Sequence, residues 1–268
     1  MPNIIAKNTI STEDLTALKN AKQKMEQIGW AMQGLNKLGN VIENKVNLLP
    51  EKQQKWLQQI TYKVLYSVVK TNLLSMQQHK VKTSPLNKTY KALVTTSGIL
   101  GGTLGASAFA IDLGITTKFM MRSIMDIARS EGEDLTTYDT QLACLQVFAL
   151  GGKSKHDDGM ETTYYASRIA LNTTTKGGLK AVEGLLKSSA NPIVQFIAGI
   201  ASKFSIQVSE KFVAQAIPIL GAAGGGGINL AFITHFQKMA QAHFTVRRLE
   251  RKYGEEMIRH HYEAIVLQ

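Results

Sequence analysis

The chain has 268 residues, 44% hydrophobic and 19% charged, with 31 Lys and Arg against 20 Asp and Glu for a net charge of +11. A mean hydropathy just below zero excludes a polytopic membrane protein, and a single cysteine, Cys144, excludes an internal disulfide framework. The N-terminus lacks a basic start followed by an apolar stretch, so no secretory signal is visible, and the expected setting is a reducing cytoplasm.

Strand signals are scarce and apolar residues recur at threes and fours throughout, which predicts an all-α protein. The expected form is one domain, 1–268, a compact multi-helix bundle with Gly-rich central helices. Its basic part is residues 1–91, which hold 14 Lys, no Arg and five acids. Arginine's planar fork suits base and phosphate readout in a defined geometry, whereas lysines suit a diffuse anionic layer such as lipid headgroups. A membrane surface is therefore the expected partner, and no sequence-specific nucleic acid is expected.

Pro50 and the Ser84-Pro85 break bracket a helix over about 50–82. At 100° per residue, Lys52, Trp56, Gln59, Lys63, Ser67, Lys70 and Leu74 share one face, and Leu57, Leu65, Val68 and Val69 lie opposite. The first face suits contact with headgroups, its indole at the interface and its ammonium groups on phosphates; the competing reading packs Trp56 under a neighbouring helix.

Two long uncharged runs follow, Ala92 to Ile111 and Phe212 to Gln237. Each is long enough to cross a bilayer, but their Gly, Ser, Thr, Asn and Pro content predicts closely packed central helices instead. A helix is expected from the Gly105 region to Ser130, with Gly132 as its stop and Thr136 or Thr137 opening the next, which runs to Leu150. On the helix that ends at Ser130, Arg122 and Asp126 are spaced to pair, and Asp112, Phe119 and Arg122 lie near one face. Another helix is expected over Met160 to Leu171. The last third predicts a helix near Pro192, a passage through Pro218 and the four glycines 224–227, a long helix over about 228–253, and a short one over Glu255 to Leu267. On the long helix His243 sits on an apolar stripe, while Lys238, Arg248, Arg251 and Lys252 form basic surface that extends the expected membrane contact.

Signals for chemistry are sparse. Gly151-Gly152-Lys153-Ser154 lacks the first glycine and the preceding strand of a phosphate loop, and Ser107 lacks the setting of a nucleophile elbow. His156, Asp157 and Glu161 form the strongest metal-like cluster, yet acids in a first helical turn stabilise the helix dipole without any ligand. His235 and His243, about 12 Å apart along a helix, cannot share a metal. No metal and no cofactor is expected. The enzyme alternative is a hydrolase drawing on Arg122, Asp126, His156, Asp157 and Glu161.

Four ordered blocks carry a family resemblance: Arg122 to Leu135 (RSIMDIARSEGEDL), Leu142 to Gly152 (LACLQVFALGG), Ala216 to Asn229 (AIPILGAAGGGGIN) and His243 to Gly254 (HFTVRRLERKYG). The chain resembles the EcsC family over roughly Ala92 to Tyr262, so 92–268 reads as an EcsC-like core. The resemblance implies a helical bacterial protein associated with an ABC transporter operon, which makes a membrane transporter a candidate partner. A hydrolase or peptidase role has been suggested for the family without a motif that maps onto residues here. Members commonly carry proline after the aspartate matching Asp112, where this chain has Leu113. The combined expectation is a noncatalytic protein, cytoplasmic and peripheral to the inner face of the cell membrane, binding anionic lipid or a membrane protein.

Overall fold

The computed structural model describes residues 9–26, 39–76, 84–101, 105–150, 164, 165, 168 and 191–267. These residues are helical, with no strand among them. In chain order the helices are α1 (Thr12–Met25), α2 (Gly39–Asn47), α3 (Glu51–Met76), α4 (Asn87–Gly101), α5 (Gly105–Ser130), α6 (Tyr138–Gln146), α7 (Asn191–Ala216), α8 (Pro218–Tyr253) and α9 (Glu255–Ala264). The all-α expectation holds.

Local chemistry accounts for several boundaries. The Ser11 side chain accepts the Asp14 N–H at the start of α1, and the Thr137 side chain accepts the Thr140 N–H at the start of α6. Gly132, at φ +85°, ends α5: its N–H donates to the Arg129 carbonyl, and the Glu133 N–H reaches back to the Ala128 carbonyl. The expected helix from Thr136 to Leu150 is shorter, because the chain tightens into a 3-10 turn at Val147–Ala149.

The long helix begins earlier than the glycines suggest. α8 starts at Pro218, whose fixed φ suits a first helical turn, and runs unbroken through Gly224 to Gly227. Gly225 and Gly226 are buried, so tertiary packing outweighs the low helix propensity of the run. α8 is the axis of the bundle, touching α1, α4, α5, α7 and α9. Around its middle, Phe232 and Phe236 pack with Phe204 of α7 and Phe148, ring centroids 5.0 to 6.1 Å apart. Burying each such side chain contributes about 2–3 kcal/mol.

The two uncharged runs have different fates. The second lies largely in the central helix. The first is not one central helix: it is split between the end of α4 and the start of α5, with Gly105 at φ +79° where α5 opens. Several of its residues face outward, including Leu93 and Ile111. Among the described residues, no helix is long and apolar enough to cross a membrane.

Candidate functional site

The most closely organised polar group in the described core is centred on Asp112 of α5 and Lys211 of α7. Both are buried, and the Lys211 ammonium donates to Asp112 Oδ2 at 2.7 Å. Gln215 donates to the same oxygen at 3.2 Å, and Asn229 of α8 donates to Oδ1 at 2.8 Å and to the Val94 carbonyl of α4 at 3.1 Å. Four helices are thus joined through one carboxylate. The Lys211 ammonium also lies 5.9 Å from the Phe109 ring centroid and 5.3 Å from that of Phe232, where ring faces offset part of its lost hydration.

Burial works to raise the Asp112 carboxyl, but the ammonium and the two amides outweigh it and hold the group below the usual carboxylate range. Burial draws Lys211 down, partly offset by Asp112. The arrangement is a closed ion pair. Its donors are spent on protein acceptors, which makes it better suited to fixing the register of four helices than to nucleophilic chemistry.

A second network clamps the C-terminal half of α8. Arg247 grips Glu133 with two bonds of 2.8 and 3.1 Å and reaches Asp139 at 2.6 Å, while Arg251 also bonds Glu133. Arg248 donates to Glu131 at 2.9 Å, and Lys252 and Tyr253 donate to Asp14 of α1 at 2.7 and 2.8 Å. Burial opposes the Glu133 charge, but Arg247 and Arg251 hold its carboxyl below the usual range. Lys252, chiefly by its hydrogen bond, lowers Asp14 to about 2.

Beside this clamp is a buried aromatic cluster. The Tyr164 hydroxyl lies 2.8 Å from Nδ1 of His243 and accepts from Arg168 at 3.3 Å. Arg168 and Tyr165 both donate to Glu250, at 2.6 and 2.8 Å. Burial keeps His243 well below its ordinary value, so the ring is neutral. The Tyr262 hydroxyl has no hydrogen-bond partner among the described residues.

The residues singled out as membrane contacts separate into distinct groups. Lys52, Gln59, Lys63 and Ser67 are exposed on α3 while Leu57, Leu65, Val68 and Val69 are buried, as the helical spacing required. Trp56 is half-buried and packs its ring against Phe212 and Phe109, centroids 5.7 and 6.1 Å away, so much of the indole serves the interior. The side chain of Lys70 lies outside the described residues, and Lys238 is half-buried on α8. Arg248, Arg251 and Lys252, read from the sequence as basic surface, are held by acids of α1 and of the turn after α5.

For the hydrolase alternative, Arg122 is exposed and Asp126 is bridged by Arg129 at 3.4 Å rather than by Arg122. The face expected to carry Asp112, Phe119 and Arg122 is divided between core, half-buried edge and solvent. His156, Asp157 and Glu161 lie outside the described residues. Among those described, no group of three or more His, Cys, Asp or Glu residues could hold a metal ion. Cys144 is fully buried, and burial pushes its thiol up, away from the reactive thiolate.

Sequence reasoning missed the Asp112–Lys211 pair, although a signal for it existed. Asp112 is the one charge between Lys91 and Lys118, and Lys211 directly precedes the run Phe212 to Gln237. Single charges of opposite sign in or beside apolar runs require one another once those runs are buried.

No curated protein and no solved structure matches the chain. The model of the EcsC protein family matches residues 12–249, starting well before the first quoted block and including α1, α2, α3 and α4. In the fold the first and last quoted blocks dock on one another, Glu131 and Glu133 of the first receiving Arg247, Arg248 and Arg251 of the last. The chain therefore belongs to the EcsC protein family.

Proposed function

We propose that this protein works without chemistry of its own at an anionic membrane surface on the cytoplasmic side, held there by its basic N-terminal third. The observation that carries the reading is a difference between two sets of cations. Arg247, Arg248, Arg251 and Lys252 are consumed by acids of the fold. Lys52 and Lys63 are exposed on one face of α3 and have no acidic partner among the described residues. An uncommitted ammonium retains its attraction for a headgroup phosphate, whereas a neutralised one adds little. The hydrolase alternative has less support, because Arg122 and Asp126 do not pair.

Co-sedimentation tests this reading. Purified protein is expected with vesicles containing phosphatidylglycerol and not with pure phosphatidylcholine, and rising salt should release it. Each lysine near such a surface contributes about 1 kcal/mol, so Lys52→Gln combined with Lys63→Gln should weaken binding about thirtyfold. Equal, negligible recovery with both vesicle types would remove the reading. Salt-insensitive recovery from native membranes but not from lipid vesicles would instead indicate a membrane protein, such as a transporter, as the partner.

A further inference from the structure

We propose that α9 is a lid over the aromatic group around His243, hinged at Gly254 and latched shut by Lys22 of α1. The chain is held tightly up to the hinge and loosely after it. Before Gly254, Arg247, Arg248, Arg251 and Lys252 tie the last turns of α8 to Glu133, Asp139, Glu131 and Asp14. After it, α9 makes no ion pair with another element among the described residues, and Arg259 bridges its own Glu263 at 2.9 Å. Ile258 and Tyr262 are the buried residues of α9. Glu255, Glu256, Arg259, His260 and Glu263 lie on its exposed outer face, so nothing blocks an outward swing.

A single residue joins the two helices. Gly254, at φ +95° and ψ 144°, takes a backbone conformation that L side chains avoid, and a change in its two dihedral angles turns α9 as a unit without unwinding it. Beneath the lid, the Tyr262 ring packs on Tyr164 and Tyr165 with centroids 5.5 and 5.3 Å apart, and Tyr164 in turn covers His243. The Tyr262 hydroxyl is buried without a partner among the described residues. That cost belongs to the closed form alone, because water satisfies the hydroxyl once α9 opens.

The latch reaches across the hinge from a fixed frame. α1 is tied to α8 on both sides of Lys22, through Asp14 to Lys252 and Tyr253 and through Lys24 to Gln241. From there the Lys22 ammonium donates to the Tyr262 and Ile265 carbonyls at 2.9 and 2.8 Å and lies 5.2 Å from the Tyr262 ring centroid. Carbonyls at a helix C-terminus lack partners within the helix and carry partial negative charge, so they hold a cation well. They also lie at the end of α9 farthest from Gly254, where one contact restrains the swing most.

Lys22 has a second acceptor. Glu26, one turn further along the chain and exposed, lies 3.6 Å from the same ammonium. The ammonium can therefore exchange the α9 carbonyls for a carboxylate, which gives the latch two resting positions. Closed, the lid leaves Tyr165 and His243 without solvent access; open, it presents three tyrosine rings beside the Arg168 and Glu250 pair.

Hydroxyl-radical footprinting of the full-length protein, read beside amide hydrogen exchange, tests the lid, since side-chain oxidation follows solvent access and amide exchange follows helix integrity. Lys22→Met removes the latch while keeping much of its bulk. Oxidation of Tyr165 and Tyr262 should rise about tenfold, the population shift expected when a hydrogen bond from a charged group is lost. The amides of Ile258 to Tyr262 should exchange no faster, and Phe148 and Phe236 in the core should stay protected. Glu26→Gln removes the competing acceptor and should lower oxidation of both tyrosines below that of wild type. Amide exchange across α9 that rises in step with oxidation would mean fraying and overturn the lid. A parallel rise at Phe148 and Phe236 would mean general loosening and overturn it too. Unchanged tyrosine oxidation in Lys22→Met, or no decrease in Glu26→Gln, would remove Lys22 as the latch.

Discussion

Lys211 and Asp112, 99 positions apart, meet at 2.7 Å between α7 and α5, and Asn229 of the central helix joins them. A carboxylate at this depth is stable only because the ammonium and two amides replace its water. Removing one partner is therefore more harmful than removing the pair. Lys211→Ala should destabilise the protein by about 3–5 kcal/mol in denaturant unfolding at pH 7. Lys211→Met combined with Asp112→Asn should recover most of that loss, and an unchanged midpoint for Lys211→Ala would mean that the pair does not hold the four helices.

His235 presents the opposite case. It is buried on α8, and neither ring nitrogen has a hydrogen-bond partner among the described residues. His235→Leu should raise stability by about 1 kcal/mol, because an apolar side chain of similar bulk removes an uncompensated polar group. Burial, with Lys238 nearby, lowers the imidazole to about 4 from an ordinary 6.5. The unfolded chain thus binds the extra proton first, and the histidine's contribution, present above pH 6.5, is lost as pH falls toward 4. The variant should have a flatter stability profile across that window; an identical profile would assign the acid sensitivity elsewhere.

Asp14 makes the clamp sensitive at lower pH. Its folded carboxyl is lowered from 3.8 to about 2, first by the Lys252 hydrogen bond and then by that of Tyr253. Stability from this group is present above the ordinary carboxylate value and is lost as pH falls toward 2. Asp14→Asn should lower the melting temperature at pH 7 and reduce the loss between about pH 4 and pH 2. Amide hydrogen exchange should show α1 opening first, since Asp14 links it to α8.

Gly132 separates backbone strain from side-chain crowding. An added Cβ would meet its nearest neighbour, Arg251 Nη2, at 3.7 Å, an ordinary contact, whereas φ of +85° disfavours any L side chain. Gly132→Ala should cost about 1–2 kcal/mol, and Gly132→Asn less, because asparagine tolerates this region better. Equal stability of all three would mean that the turn relaxes to another conformation.

Periodicity and punctuation made much of the architecture legible in the sequence. The helical class, the buried side of α3, the stop at Gly132 and the break between α8 and α9 at Gly254, where φ is +95°, all follow from short-range rules, because apolar spacing and a positive φ depend on neighbours a few residues away. The family blocks were legible too, although not their docking. Tertiary structure alone decided which charges remain available. Arg248 and Lys252 resemble Lys52 and Lys63 in sequence, yet the first two are neutralised by Glu131 and Asp14 from distant segments, and the last two have no acidic partner among the described residues. It also decided that Asp112 faces Lys211 and that the first uncharged run folds back at Gly105, leaving Ile111 outside. The physical reason is common to these cases: burial and ion pairing are relations between elements far apart in the chain, and a charge is costly, satisfied or available according to what the fold places beside it.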